Sequence, residues 1–232
     1  MINSSLAPGE IVTLFTKVNE KIALMNKYST EDLLELSTKL KGYQQRIDEF
    51  VANHDNEENR KKLQGFHVKI SQIIVDLQFN DIIRQKLEHL DEINLLVIKE
   101  LESGEAGVLS KIIIGIAELT KAQLSYIDNE YSIATNSIKS QLMAIWQDKI
   151  VAGTIELGFL DILNNSDMFD KQVKMASMEL ERVIKTEVQE VSFEQDDYSL
   201  IQSRYTMQTE REVFGTLFGL EVEEEEEEIE LF

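Results

Sequence analysis

Leu77-Gln78-Phe79-Asn80-Asp81-Ile82-Ile83-Arg84-Gln85-Lys86-Leu87-Glu88-His89 is the stretch whose reading decides the fold. It lies inside a helical pattern from about Lys61 to Leu101 that contains no proline, with Gly65 as its one weak point. Residues four apart stack on one helix face. Asp81, Gln85 and His89 therefore form a single polar row, flanked by Gln78, Glu88 and Glu92. Ile74, Leu77, Ile83, Leu87 and Leu90 build an apolar side. A core helix has no need of a carboxylate and a carboxamide one turn apart. That pair is either a solvated face, an interhelical hydrogen bond or a chemical device.

Outward from this stretch the helical pattern continues in both directions. Asn53 to Asn59 is a polar loop, so the helix carrying the polar row is predicted from about Glu57 to Leu101. At 1.5 Å per residue it would be on the order of 65 Å long, and a rod of that length must be supported by neighbours. Before it, helices are predicted from about Glu10 to Asn26 and from about Leu33 to Ala52, separated by Ser29-Thr30-Glu31-Asp32. That separator reads as an N-cap, because a hydroxyl can accept from free amides and acids suit that end of the dipole. After it, Ser103-Gly104-Glu105-Ala106-Gly107 is a turn, and a further helix is predicted from about Val108 to Lys149. The pattern loosens from Val151 to Phe169, then gives helices over about Asp167 to Val191 and Asp196 to Phe218.

The expected fold is all-α: a long antiparallel helical hairpin or bundle, smaller C-terminal helices packed on it, and a flexible acidic tail. The expected organisation is 1–150, 151–219 and 220–232, with the Asp81/Gln85 face in the first part. Long hairpins of this kind pair into four-helix bundles, so a homodimer is expected.

Charge narrows the partners. The chain has 43 acidic and 23 basic residues, a formal net charge of −20. Nucleic-acid binding requires phosphate-neutralising surface, and anionic membrane surfaces repel such a chain. Basic-faced proteins are the partners it suits. Cysteine is absent, which removes disulfides, thiol nucleophiles and Cys-based zinc sites. Met1 to Ile11 lacks a basic start and an apolar core of the secretory kind. The most apolar run, Val108 to Ala117, falls well short of the roughly 20 residues that span a bilayer. A soluble, cytoplasmic protein is expected.

Self-contained catalysis is disfavoured. The three histidines, His54, His67 and His89, are not spaced to share a metal from one helix face. There is no glycine-rich phosphate loop and no nucleophile elbow. Any catalysis would have to be assembled in a partner's site. The tail, a glutamate run closed by Ile229, Glu230, Leu231 and Phe232, reads as a solvated acidic segment or as a hook. In the second reading its apolar end docks on a basic-rimmed groove.

Gln78-Phe79-Asn80-Asp81 followed by Gln85 resembles the active-site helix of the CheZ family, the phosphatases of phosphorylated CheY-type response regulators in bacterial chemotaxis. The residue match covers about Leu77 to Leu90 and, loosely, the tail; no other Asp in this chain has Gln four residues on. The resemblance implies Gln85 and Asp81 as catalytic residues, with Gln78 and Asn80 as support. It also implies Ile229, Leu231 and Phe232 as the regulator-binding end of the tail. The protein would carry no cofactor and no metal of its own, and Mg²⁺ would sit on the response regulator. Physically, an aspartyl phosphate needs mainly a water held in line with the phosphorus. A carboxamide can donate and accept at once, as the water-positioning glutamine of small GTPases does. The same phrases also resemble helical chemotaxis proteins that are not established phosphatases, so a non-catalytic adaptor or receptor-like signalling bundle stands as the alternative. Arg204-Tyr205-Thr206-Met207-Gln208-Thr209-Glu210-Arg211 is a second such phrase, without an assigned role. Arg84 is expected to pair with Glu88, and His89 to be an exposed or capping imidazole.

Overall fold

The computed structural model describes residues 6–53, 57–103, 112–146, 166–186, 199–203, 205 and 207–219. Its helices are α1 (Pro8–Lys27), α2 (Leu33–Asn53), α3 (Glu57–Asp76), α4 (Phe79–Ser103), α5 (Ile113–Trp146), α6 (Ser166–Ile184), α7 (Ser199–Gln202) and α8 (Gln208–Phe218). Among the described residues there is no strand. The chain is an all-α helical bundle, as its periodicity predicts. No helix among the described residues is long and apolar enough to cross a membrane.

Two helix junctions differ from expectation, and the spacing of buried residues accounts for both. The cap predicted at Ser29–Asp32 is absent; Tyr28–Asp32 is a π-helical turn that carries α1 into α2 without a stop. The Ser29 hydroxyl donates back to the Asn26 carbonyl (3.1 Å) and Thr30 donates to Asn26 Oδ1 (3.2 Å), so neither caps a new helix. Met25, Ser29, Leu33, Leu36 and Leu40 are all buried. The two successive steps of four residues in that row require local underwinding, which a π turn supplies.

The rod predicted over Glu57 to Leu101 is two helices, interrupted at Leu77–Gln78. Leu63, Phe66, Ile70, Ile73 and Leu77 alternate steps of three and four, and all are buried. Ile83, Leu87, Leu90 and Val97 are buried in turn, with half-buried Asn80 bridging Leu77 to Ile83 by two steps of three. A doubled step of three demands overwinding. It appears as backbone bonds to the third residue back: Gln78 N–H to Val75 (2.9 Å), Asn80 N–H to Leu77 (3.2 Å) and Asp81 N–H to Gln78 (3.1 Å). Apolar packing is continuous while the backbone register is reset.

The described residues fall into two compact units, neither of them a single run of sequence. One comprises residues 1–22, 86–126 and 173–232, the other 23–85 and 127–172. In the second unit α2 packs antiparallel on α3, with Gln44 donating to Ser71 Oγ (2.6 Å) and Asp48 3.5 Å from His67. There Asp76 accepts from Gln141 (2.9 Å) while Phe79 meets Tyr131, so α5 runs against the direction of α3 and α4. In the first unit the antiparallel sense of α4 and α5 recurs: Lys86 lies over the Tyr126 ring and Thr120 donates to Asn94 Oδ1 (3.3 Å). Asn94 in turn donates to Asn19 (2.8 Å), and this buried amide chain is fully partnered across α1, α4 and α5. The C-terminal helix predicted over Asp196 to Phe218 is two shorter ones, α7 and α8.

Candidate functional site

The reset at Leu77–Gln78 decides where the polar row points. Phe79 opens α4, so Asp81 sits in the first helical turn rather than mid-rod. A carboxylate is favoured there by the helix dipole. Phe79 holds the turn in place: its ring is 6.0 Å from Tyr131, which stacks on Phe169 at 4.1 Å and 13°. Asp81 is exposed and Gln85 half-buried, so neither is locked between helices.

Three side chains form one assembly. Gln85 Nε2 donates to Asp81 Oδ2 (2.9 Å), and Arg84 donates to Asp81 Oδ1 from both Nη2 (2.7 Å) and Nε (3.1 Å). The Arg84 hydrogen bond, opposed by desolvation and aided by the Arg84 charge and the Gln85 N–H, holds the Asp81 carboxyl below its ordinary value. Asp81 is therefore an anion throughout the physiological range. An amide has two donor hydrogens and an acceptor oxygen. Binding Asp81 uses one hydrogen and leaves Gln85 one donor and one acceptor for a water. Arg84 is the member that the sequence reading did not assign to this pair: it binds Asp81, three residues back. Asp81–Arg84 was an equally available helical pair on spacing alone.

The supporting residues separate. Gln78 is exposed and lines, with Asn80, Asp81 and Arg84, a cleft of about 640 Å³ between α2 and the α3–α4 junction. Leu34 and Lys41 of α2 face it, and Gln85 is not among its lining residues. Asn80 turns inward, and its buried Oδ1 has no hydrogen-bond partner among the described residues. Such an atom costs free energy in a folded chain.

His89 leaves the row. Its Nδ1 lies 2.9 Å from Glu210 Oε1 and 3.1 Å from Oε2. Glu210 is almost fully buried. Burial raises the Glu210 carboxyl above its ordinary value, opposed by the His89 bond and charge, by the Met207 N–H (3.3 Å) and by nearby Lys86. Lys86, also buried, rests its ammonium 4.7 Å above the Tyr126 ring, a favourable placement for a desolvated cation. Gln123 donates to the Glu210 carbonyl (2.9 Å). Burial likewise pushes the Tyr205 phenol far above its usual value, and its hydroxyl has no hydrogen-bond partner among the described residues. The expectation of an exposed or capping His89 is thus corrected, and the Arg204–Arg211 phrase gains a structural role. Its Glu210 seats the start of α8 on α4 through His89, while its buried Tyr205 ring packs 6.1 Å from Phe214 of α8. Sequence pattern could not reveal this, because His89 and Glu210 are 121 residues apart.

Among the described residues no group of three or more His, Asp or Glu is placed to hold a metal ion. The proposed tail residues Ile229, Leu231 and Phe232 lie outside the described residues. Comparison of the chain with protein-family models, curated proteins and solved structures finds no match.

Proposed function

We propose that the chain is a CheZ-like phosphatase that accelerates hydrolysis of the aspartyl phosphate of a CheY-type response regulator in chemotaxis signalling. The observation that carries the reading is the exposed, ionised Asp81 bonded to Gln85 one turn along the same helix. Had both side chains been packed between helices, no partner could reach them.

On docking, Asp81 exchanges its intrahelical partners for a lysine of the regulator or approaches the regulator's bound Mg²⁺. Gln85, released from Asp81, enters the site and fixes the attacking water with its amide N–H and carbonyl oxygen. The water oxygen bonds to phosphorus as the phosphorus–acyl oxygen bond breaks. The regulator's aspartate leaves as its carboxylate, the phosphoryl group becomes inorganic phosphate, and the water's proton passes to that phosphate or to solvent. The metal and the acceptor carboxylate are the partner's; this chain supplies positioning alone. A cytoplasmic location and a homodimer belong to the same proposal, as does the tail hook at Ile229, Leu231 and Phe232.

The test is phosphate release from a phosphorylated CheY-type regulator with and without the protein. Acceleration that disappears in Gln85→Ala, with binding retained, is the expected result. Release no faster than the regulator's own decay removes the enzyme reading, and binding without acceleration then favours the adaptor.

A further inference from the structure

We infer that the cleft beside Asp81 is a docking surface for an acidic, apolar-centred face of a folded partner protein, with Leu34 and Lys41 of α2 selecting that partner. This rests on the phosphatase reading for the partner's identity, but the surface is argued from its own chemistry.

The cleft holds about 640 Å³. Its floor is apolar, since Leu33 and Leu77 are buried, while Leu34 is 63% exposed and Ile82 49% exposed at its edges. Large aliphatic side chains this open, facing each other across one cleft, are characteristic of a protein-binding surface rather than of plain solvent exposure. The rim is cationic: it carries Lys41 and Arg84 against a single carboxylate, Asp81. On a chain of net charge −20 a locally positive rim is unusual. Lys41 is exposed and has no ion pair among the described residues. Arg84 is already turned toward Asp81, so Lys41 is the rim cation without such a commitment.

Charge complementarity therefore selects an acidic occupant, and the exposed leucine and isoleucine select one with an apolar centre. A nucleic acid or an anionic lipid surface would meet two cations on a strongly acidic protein, which is too little to hold either. The face of a protein that carries a phosphorylated carboxylate is anionic and meets the charge requirement. Seating it in this cleft brings its phosphoryl group beside Asp81. Leu34 and Lys41 lie on α2, well before the Asp81–Gln85 pair in sequence, and take no part in its hydrogen bond. They are positioned to set affinity rather than chemistry.

The experiment measures phosphate release across regulator concentrations for the full chain, Leu34→Asp, Lys41→Glu and, as a surface control on α6, Met178→Asp. Both cleft variants are expected to raise KM about tenfold with kcat within about twofold of the parent, since each puts a negative charge where an acidic face must dock. Met178→Asp should leave KM unchanged. The Lys41→Glu difference should shrink at high salt, as exposed charges are screened. If the parent accelerates release and Gln85→Ala does not, while Leu34→Asp and Lys41→Glu leave KM unchanged, the docking inference is overturned and the phosphatase reading survives. If the parent does not accelerate release, the phosphatase reading fails and binding decides the cleft. Binding of the beryllofluoride-activated regulator that is lost in Leu34→Asp upholds the surface. Absent or unaltered binding overturns it.

Discussion

The side-chain amide of Gln85 reaches the carboxylate of Asp81 at 2.9 Å, and Arg84 grips the same carboxylate from its other oxygen at 2.7 Å. The pair is thus pre-arranged but occupied, and function requires the intrahelical bonds to be exchanged for intermolecular ones. Gln85→Ala should lower regulator dephosphorylation by at least about a hundredfold, the usual scale for losing one preorganised donor. Asp81→Asn keeps the hydrogen-bonding shape without the charge and should lose most of the activity as well. Single-turnover phosphate release at saturating regulator separates both effects from weakened binding.

Arg84 makes a prediction about acidity. Because its hydrogen bond and charge lower the Asp81 carboxyl below 3.8, Arg84→Met should move the Asp81 titration upward toward that value. Any stability Asp81 contributes is present above pH 3.8 and lost as pH falls through the lowered folded value. Carboxyl-resolved NMR titration of parent and variant reads the shift directly, and an unchanged midpoint would show that the pairing does not persist in solution.

Glu210 gives the opposite sign. Its carboxyl is raised by burial above the 4.5 of an ordinary glutamate. The folded state therefore holds its proton more tightly than the unfolded chain does, so stability falls as pH rises from 4.5 through the folded value. Glu210→Gln removes that titration. Parent stability relative to this variant should decline over that window, measured by urea unfolding at a series of pH values. A constant difference would mean that His89 and Lys86 compensate the carboxylate fully.

Removing the imidazole exposes the same balance differently. His89→Ala leaves Glu210 buried without its closest partner and should cost about 2–3 kcal/mol, the range for orphaning a buried charged acceptor that keeps other bonds. Hydrogen exchange over Gln208–Phe218 should accelerate with it, since that pair seats the helix.

Asn80 should behave as a cost retained for local geometry. Its buried Oδ1 has no partner among the described residues, so Asn80→Leu should stabilise the chain by about 1 kcal/mol in chemical denaturation. The same substitution should reduce phosphatase activity if the polar group helps seat the first turn of α4.

The helical class and the identity of the buried stripes are local properties. They follow from apolar residues recurring at three and four, and Leu63 through Leu77 or Leu33 through Leu40 can be read by inspection. The Asp81–Gln85 pair was legible for the same reason, because a helix fixes its own i and i+4 neighbours. The doubled steps at Met25–Ser29–Leu33 and Leu77–Asn80–Ile83 were also written in the residues. What they do to the backbone is less local. Only packing against α5 and α6, through Tyr131 and Phe169, makes it worthwhile to overwind the chain there and turn Asp81 outward.

The sequence by itself determined an all-α chain, an acidic surface, and one helix presenting a carboxylate and a carboxamide a turn apart. The tertiary structure alone decided which polar residues share a site. It sent His89 to a glutamate 121 residues away and placed Leu34 and Lys41 at the Asp81 cleft. Helical hydrogen bonds and periodicity act over one or two turns, so sequence spacing encodes them. Pairings between helices are chosen by which arrangement leaves the fewest buried charges and polar groups unmet, and that choice exists only once the helices are packed.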